Sequence, residues 1–180
     1  MPTDQGEPLA IAVGEGASLL ALCDSARSEA PRALVVLLHG LGGSSEREGL
    51  RRMGLSLQAA DLAVWRLNLR GAGRGRSLAP GTYAARCDGD LLPVLRRARQ
   101  QAGGLPLLGV GISLGGTMLL NAALAEPGVL DGLVCISSPL DLAACSRQIE
   151  RPRNRIYQRW LLRRLRNQTL ADPFGVRASE

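Results

Sequence analysis

The run Leu105-Pro-Leu-Leu-Gly-Val-Gly-Ile-Ser-Leu-Gly-Gly-Thr-Met-Leu-Leu-Asn-Ala-Ala-Leu124 decides the reading of this chain. Leu105 to Val110 reads as a buried strand, and an uncharged helix is expected from about Leu114. Between them Gly111-Ile112-Ser113-Leu114-Gly115 has the form G-x-S-x-G. That spacing suits a serine on a sharp strand-to-helix turn, where glycine two residues to either side lets strand and helix pack closely. Ser113 would project from the end of a sheet with a helix N-terminus behind it. The unpaired N–H of Leu114 is then placed to stabilise an oxyanion. The pentapeptide alone is weak evidence, because Gly and Ser are common in loops. The apolar strand before it and the apolar helix after it make it strong, and Ser113 is the expected nucleophile.

Outward from this turn the pattern repeats. Ala33 to Leu38, ALVVLL, is a continuous apolar run of the kind covered on both faces in parallel sheets, and it runs into His39-Gly40-Leu41-Gly42-Gly43. Ser45 and Glu48 have capping-box spacing ahead of a helical stripe of Leu50, Met53, Gly54 and Leu57. Leu62 to Leu69 is the next strand, ending in a glycine-rich stretch, Asn68 to Gly73. A helix from near Asp90 turns Leu91, Val94, Leu95 and Ala98 inward, with Pro93 in its first turn, and Gly103-Gly104 stops it. Gly132 to Ser137 is a further strand. Leu9 to Leu22 reads as two short strands around Gly14-Glu15-Gly16. Arg153 to Arg166 is an amphipathic helix with Ile156, Tyr157, Trp160, Leu161 and Leu165 on one face among arginines. This alternation of strand and helix predicts a doubly wound α/β sheet.

Composition sets the outer limits. With 180 residues and 46% hydrophobic content, one domain with a real core is expected. All 22 basic residues are arginine, which reflects genome composition more than a binding surface. Eight of them lie between Arg147 and Arg166, and the rest of the chain is close to neutral. No nucleic-acid partner is expected, because no module or aromatic platform accompanies the charge. The start has no basic region followed by an apolar run, and Cys23, Cys87, Cys135 and Cys145 have no C-x-x-C spacing. Both facts suit a reducing cytoplasm. One histidine makes a transition-metal site improbable, and no cofactor is expected.

The chain resembles the α/β-hydrolase superfamily, in particular the YheT-like branch of carboxylesterases and acylglycerol lipases. The matching residues are His39-Gly40-Leu41 with Gly43, Asn68-Leu69-Arg70-Gly71-Ala72-Gly73, Tyr83, and Asp90-Leu91. Further matches are Gly111 to Gly116, Ser138-Pro139-Leu140-Asp141-Leu142 and Asn154-Arg155-Ile156-Tyr157. They run in the family's order across about residues 33–166. Arg86 stands where the family usually carries glycine. The resemblance implies a mostly parallel sheet with helices on both faces, its last strands missing, in a single incomplete domain. Residues 1–145 would form the core and 146–180 the start of a cap. It implies a serine hydrolase of short-chain or monoacyl lipid esters, acting through a Ser113 acyl-enzyme. Leu41 and Leu114 would donate the oxyanion hydrogen bonds, supported by His39, Gly40, Gly111 and Gly115.

In that family the triad runs Ser, Asp, His, and the last two lie on loops after later strands. Here the only histidine, His39, precedes the serine. It is expected to support the oxyanion loop, ahead of direct acid–base work. Asp141 is expected to cap a turn or helix, ahead of orienting a base. Loss of a triad histidine costs on the order of 10⁶ in turnover, so the chain alone is expected to be nearly inert. A disrupted gene is the favoured reading, ahead of a shortened binding module or pseudoenzyme. The strand at Gly132 to Ser137 would then be an open edge prone to self-association. The Arg147–Arg166 stripe reads first as a solvated cap face and second as a peripheral membrane contact. Arg70, Arg74 and Arg76 are placed to contact phosphate, but Gly71, Gly73 and Gly75 do not match a dinucleotide fingerprint.

Overall fold

The computed structural model describes residues 6–175. Six strands form one sheet: β1 (Glu7–Gly14), β2 (Ala17–Asp24), β3 (Ala33–Leu38), β4 (Leu62–Asn68), β5 (Leu107–Ile112) and β6 (Gly132–Ile136). Their order across the sheet is β1-β2-β4-β3-β5-β6. β1 pairs with β2, and β2 with β4, antiparallel; β4, β3, β5 and β6 are mutually parallel. The parallel strands are joined by α1 (Glu48–Ala59), α2 (Asp88–Ala102) and α3 (Leu114–Ala125). Two further helices, α4 (Leu142–Ile149) and α5 (Arg155–Leu170), follow β6.

β3 shows why its sequence is uninterrupted Leu and Val. Leu34, Val36 and Leu38 point into the core beneath α2 and α3, which includes Leu91, Val94, Leu95, Met118 and Leu119. Val35 and Leu37 point to the other face, where Leu50 of α1 meets Val64 and Val110. Helices therefore cover both faces, and a strand in the middle has no solvent side to mark with polar residues. The four inward positions read from α2, Leu91, Val94, Leu95 and Ala98, are fully buried. Gly103 ends α2 in the left-handed conformation with φ 58°.

Several local expectations need correction. The strand expected at Leu105 to Val110 runs from Leu107 to Ile112, so it reaches the residue before Ser113. α1 begins at Glu48 with Arg47 as its N-cap and no side-chain cap. Ser45 does not cap it, because its hydroxyl accepts from Asn68 Nδ2 at 2.8 Å instead. α2 starts at Asp88, which puts Pro93 beyond the first turn and removes one ladder bond, that to the Gly89 carbonyl. The apolar stripe of α5 is largely uncovered. Of that stripe only Leu161 is buried, whereas Ile156, Tyr157 and Trp160 are 86%, 49% and 50% exposed. β6 pairs only with β5 among the described residues, and its Val134, Cys135 and Ile136 are exposed.

Candidate active site

Ser113 stands between the end of β5 and the start of α3, with φ 52° and ψ −126°. A side chain at positive φ outside the ordinary left-handed well costs on the order of 1–3 kcal/mol and persists only where its surroundings enforce it. Here they do. The Ser113 N–H donates to the Ile136 carbonyl at 2.7 Å, and the Ser113 carbonyl accepts from Gly116 N–H at 3.0 Å. A Cβ on Gly111 would lie 2.3 Å from the Gly116 nitrogen, and one on Gly115 would lie 2.5 Å from the His39 carbonyl oxygen. Glycine at both positions is thus what lets α3 press against β5 and the end of β3. Ser113 is half-buried. Among the described residues no side chain hydrogen-bonds its Oγ.

The loop after β3 forms the facing wall. A Cβ on Gly40 would stand 3.0 Å from Ser113 Cβ and 3.6 Å from its Oγ, so a side chain there would press against Ser113. His39 is 2% exposed and both its ring nitrogens are engaged. Leu69 N–H donates to Nε2 at 3.3 Å, which makes Nε2 the lone-pair nitrogen. The proton therefore sits on Nδ1, 2.8 Å from the Gly40 carbonyl oxygen. Burial pushes the His39 pKa down from 6.5 to about 4, against smaller opposing contributions from the Gly40 bond and the Glu46 carboxylate. The ring is neutral at pH 7.

The Gly40 carbonyl accepts a second bond, from Gly43 N–H at 3.0 Å. The peptide is trans, as no cis bond occurs among the described residues. Its N–H, which belongs to Leu41, must then point opposite to that doubly held carbonyl, away from the loop's interior. Neither Leu41 N–H nor Leu114 N–H meets an acceptor among the described residues. Leu114 is the first residue of α3, where helix geometry leaves the amide unpaired and the helix dipole is positive. Ser113, Gly40, Gly111, Gly115 and His39 are thus brought together, with Leu41 and Leu114 one residue from Gly40 and Ser113.

Asp141 is not brought into the group. Its Oδ1 accepts from Ala144 N–H at 2.8 Å, so it caps α4. Tyr83 carries a role that sequence reasoning missed: its hydroxyl accepts from Gly42 N–H at 2.7 Å, and its ring meets His39 edge-on at 5.8 Å. Asn68 accepts from Ser45 N–H at 2.9 Å. Beneath this network Arg66 makes a buried two-pronged pair with Asp24, at 2.6 and 2.9 Å, and donates to the Ser45 carbonyl at 3.0 Å. The available signal was an arginine inside the apolar strand LAVWRLN. Arg70 is held by Asp90 at 2.6 and 2.8 Å, which takes it out of consideration as a phosphate ligand. Among the described residues no three His, Cys, Asp or Glu side chains are grouped to hold a metal ion.

Comparisons with known proteins agree with this architecture. The sequence profile of the family described as serine aminopeptidase, S33, matches residues 29–174. YheT of Escherichia coli (strain K12), which is named as an esterase, is 32% identical over 138 residues, 73% of this chain and 39% of that protein. Phospholipase ABHD3 of Mus musculus is 30% identical over 133 residues, 73% of this chain and 31% of the mouse protein. The chain thus spans well under half the length of either. The crystal structure of XC6422 from Xanthomonas campestris, an α/β serine hydrolase without lid, superposes with a TM-score of 0.64 at 22% identity. That match covers 79% of this chain and 65% of XC6422 and speaks to the fold alone. A mostly parallel sheet covered on both faces, and a profile match over most of the chain, show that this chain has the α/β-hydrolase fold and belongs to the serine aminopeptidase S33 family.

Proposed function

We propose that the chain carries the nucleophile and the oxyanion-binding part of a serine hydrolase of carboxylic esters. Ser113 Oγ would bond to the ester carbonyl carbon as its proton passes to a base. The tetrahedral oxyanion would be received by Leu41 N–H and Leu114 N–H, and collapse would release the alcohol and leave an acyl-serine for water to cleave. The observation that carries this reading is the backbone at Ser113. A serine is kept at φ 52° where glycine would be relaxed, which is strain without structural benefit unless the hydroxyl is used. Relatives named as an esterase and a phospholipase support a small-molecule or lipid ester as substrate.

His39 acts on this reading as a positioning residue. Its Nδ1–H holds the Gly40 carbonyl and so aims the Leu41 N–H, and its Nε2 is already an acceptor for Leu69. It is not available as the base. A second reading, a binding module without catalysis, is favoured by one fact: among the described residues no base contacts Ser113 Oγ. The two separate in an assay with p-nitrophenyl butyrate. Oxyanion donors lacking a base predict slow hydrolysis, on the order of 10³-fold above water, that survives Ser113→Ala because it does not use the triad and that falls in Leu41→Pro, which removes one donor. No acceleration over water would leave the binding module standing.

A further inference from the structure

Beside the oxyanion loop lies a cavity of about 230 Å³ lined by Arg47, Arg76 and Arg164 together with Gly42, Gly43 and Ser44. Arg164 reaches it from α5, 122 residues along the chain from the glycine it contacts. Gly40, Leu41, Ser113 and Leu114 do not line it. We propose that this cavity is an anion site, separate from the Ser113 turn, that takes a phosphate group.

The charge arrangement is the main ground. Other arginines in the fold pair with carboxylates, Arg52 with Glu48, Arg66 with Asp24, Arg70 with Asp90, Arg86 with Asp88, Arg96 with Glu126 and Arg99 with Asp131, and what distinguishes Arg47, Arg76 and Arg164 is that they converge on one cavity. The three around the cavity have no carboxylate partner among the described residues. Each guanidinium offers five N–H donors. Arg164 uses Nε on the Gly42 carbonyl at 3.0 Å, and Arg76 uses Nε and one terminal nitrogen on the Gly71 and Ala171 carbonyls at 3.3 and 3.4 Å. These backbone contacts fix the two planes and leave the remaining donors for a ligand. Arg164 is further held with its guanidinium 5.1 Å from the Trp160 ring centroid. Planar forks fixed in this way match the paired oxygens of a phosphate.

Two further facts bear on the ligand. Glu46 lies behind Gly73, its Oε2 2.7 Å from where a Cβ on that glycine would stand, and both its oxygens are buried without a hydrogen-bond partner. Three guanidinium groups against one carboxylate leave a local charge of +2, which a phosphate offsets. The volume is below the roughly 300–1,000 Å³ of pockets for drug-sized ligands, so the cavity holds a headgroup-sized ion and not an acyl chain.

The test is calorimetric titration of the whole chain with inorganic phosphate and with hexanoyl lysophosphatidic acid. Saturable one-to-one binding is expected for phosphate. Arg76→Gln and Arg164→Gln should each weaken it about tenfold or more, and Arg47→Gln should weaken it less because Arg47 is the more exposed. Arg155→Gln and Arg159→Gln, on the same helix outside the cavity, should leave it unchanged. Arg164→Lys keeps the charge but loses the fork, and should weaken phosphate severalfold without lowering the melting temperature. Lysophosphatidic acid binding at least about tenfold tighter, with the same pattern of variants, would assign the site to a lipid headgroup, and equal affinities would assign it to free phosphate. No saturable binding, or equal loss on Arg155→Gln and Arg164→Gln, would overturn the proposal.

Discussion

The centre of the sheet and its β6 flank are built to different standards. β3, β5 and the Ser113 turn leave no slack: every residue of β3 is buried, and Gly111 and Gly115 stand where a single methyl group would strike backbone at 2.3 and 2.5 Å. On the flank, Val134 and Ile136 of β6 are 54% and 36% exposed, and Leu140 is 79% exposed. β6 pairs with β5 along its length, and the Ser113 turn itself meets the flank through the bond from Ser113 N–H to the Ile136 carbonyl. Precision is thus concentrated at the turn that carries the proposed nucleophile, and apolar surface is left open one strand away. The contrast predicts that mutations of equal chemical size will differ widely in cost between the two regions.

The largest effect is expected at Gly111→Ala, which should cost about 4 kcal/mol or more in a urea melt, or prevent soluble expression. A cost below about 1 kcal/mol would show that the turn can yield. Next is Asp24→Asn, which removes the carboxylate from the buried Arg66–Asp24 pair and should cost about 3 kcal/mol. Its effect should equal that of the double variant Asp24→Asn, Arg66→Met within a small margin, or exceed it.

The third expectation concerns pH. The folded His39 pKa lies below its unfolded value, so the folded state binds fewer protons between the two. Its stabilising contribution is complete above pH 6.5 and is lost as pH falls toward 4. The shift corresponds to about 3 kcal/mol in order of magnitude, at roughly 1.36 kcal/mol per unit. His39→Gln should flatten the stability profile over that window, and an unchanged profile would contradict the buried neutral ring. Ser113→Gly should raise stability by about 1–2 kcal/mol by releasing the strained φ. On the flank, Val134→Ser should move the melt by less than about 0.5 kcal/mol while reducing self-association in sedimentation. A stability loss as large as that of Asp24→Asn would erase the distinction between the two regions.

How legible each part was in the sequence follows from the range of the forces involved. Gly111-x-Ser113-x-Gly115 could be read because its meaning is steric and local, set by two glycines within five residues. The α2 face could be read because four apolar positions at helical spacing have one solution. Asp24 and Arg66 could not be paired in advance, since 42 residues separate them and nothing local couples them. Tyr83 hid for the same reason, its partner Gly42 lying 41 residues away. The α5 stripe could be read as one shared face, but periodicity does not fix what covers that face. Ser45 went to Asn68 because a side-chain pair buried in the core outcompeted an exposed cap.

The most direct test of the central claim is intact-mass analysis after exposure to a fluorophosphonate, with peptide mapping of the adduct. One slow adduct is expected, on Ser113 and lost in Ser113→Ala. Its rate should rise steadily with hydroxide and show no inflection near neutral pH, because the oxyanion donors are in place without a base. Labelling of another residue, or no labelling under forcing concentrations, would contradict Ser113 as nucleophile. Rapid stoichiometric labelling at pH 7 would contradict the absence of a base.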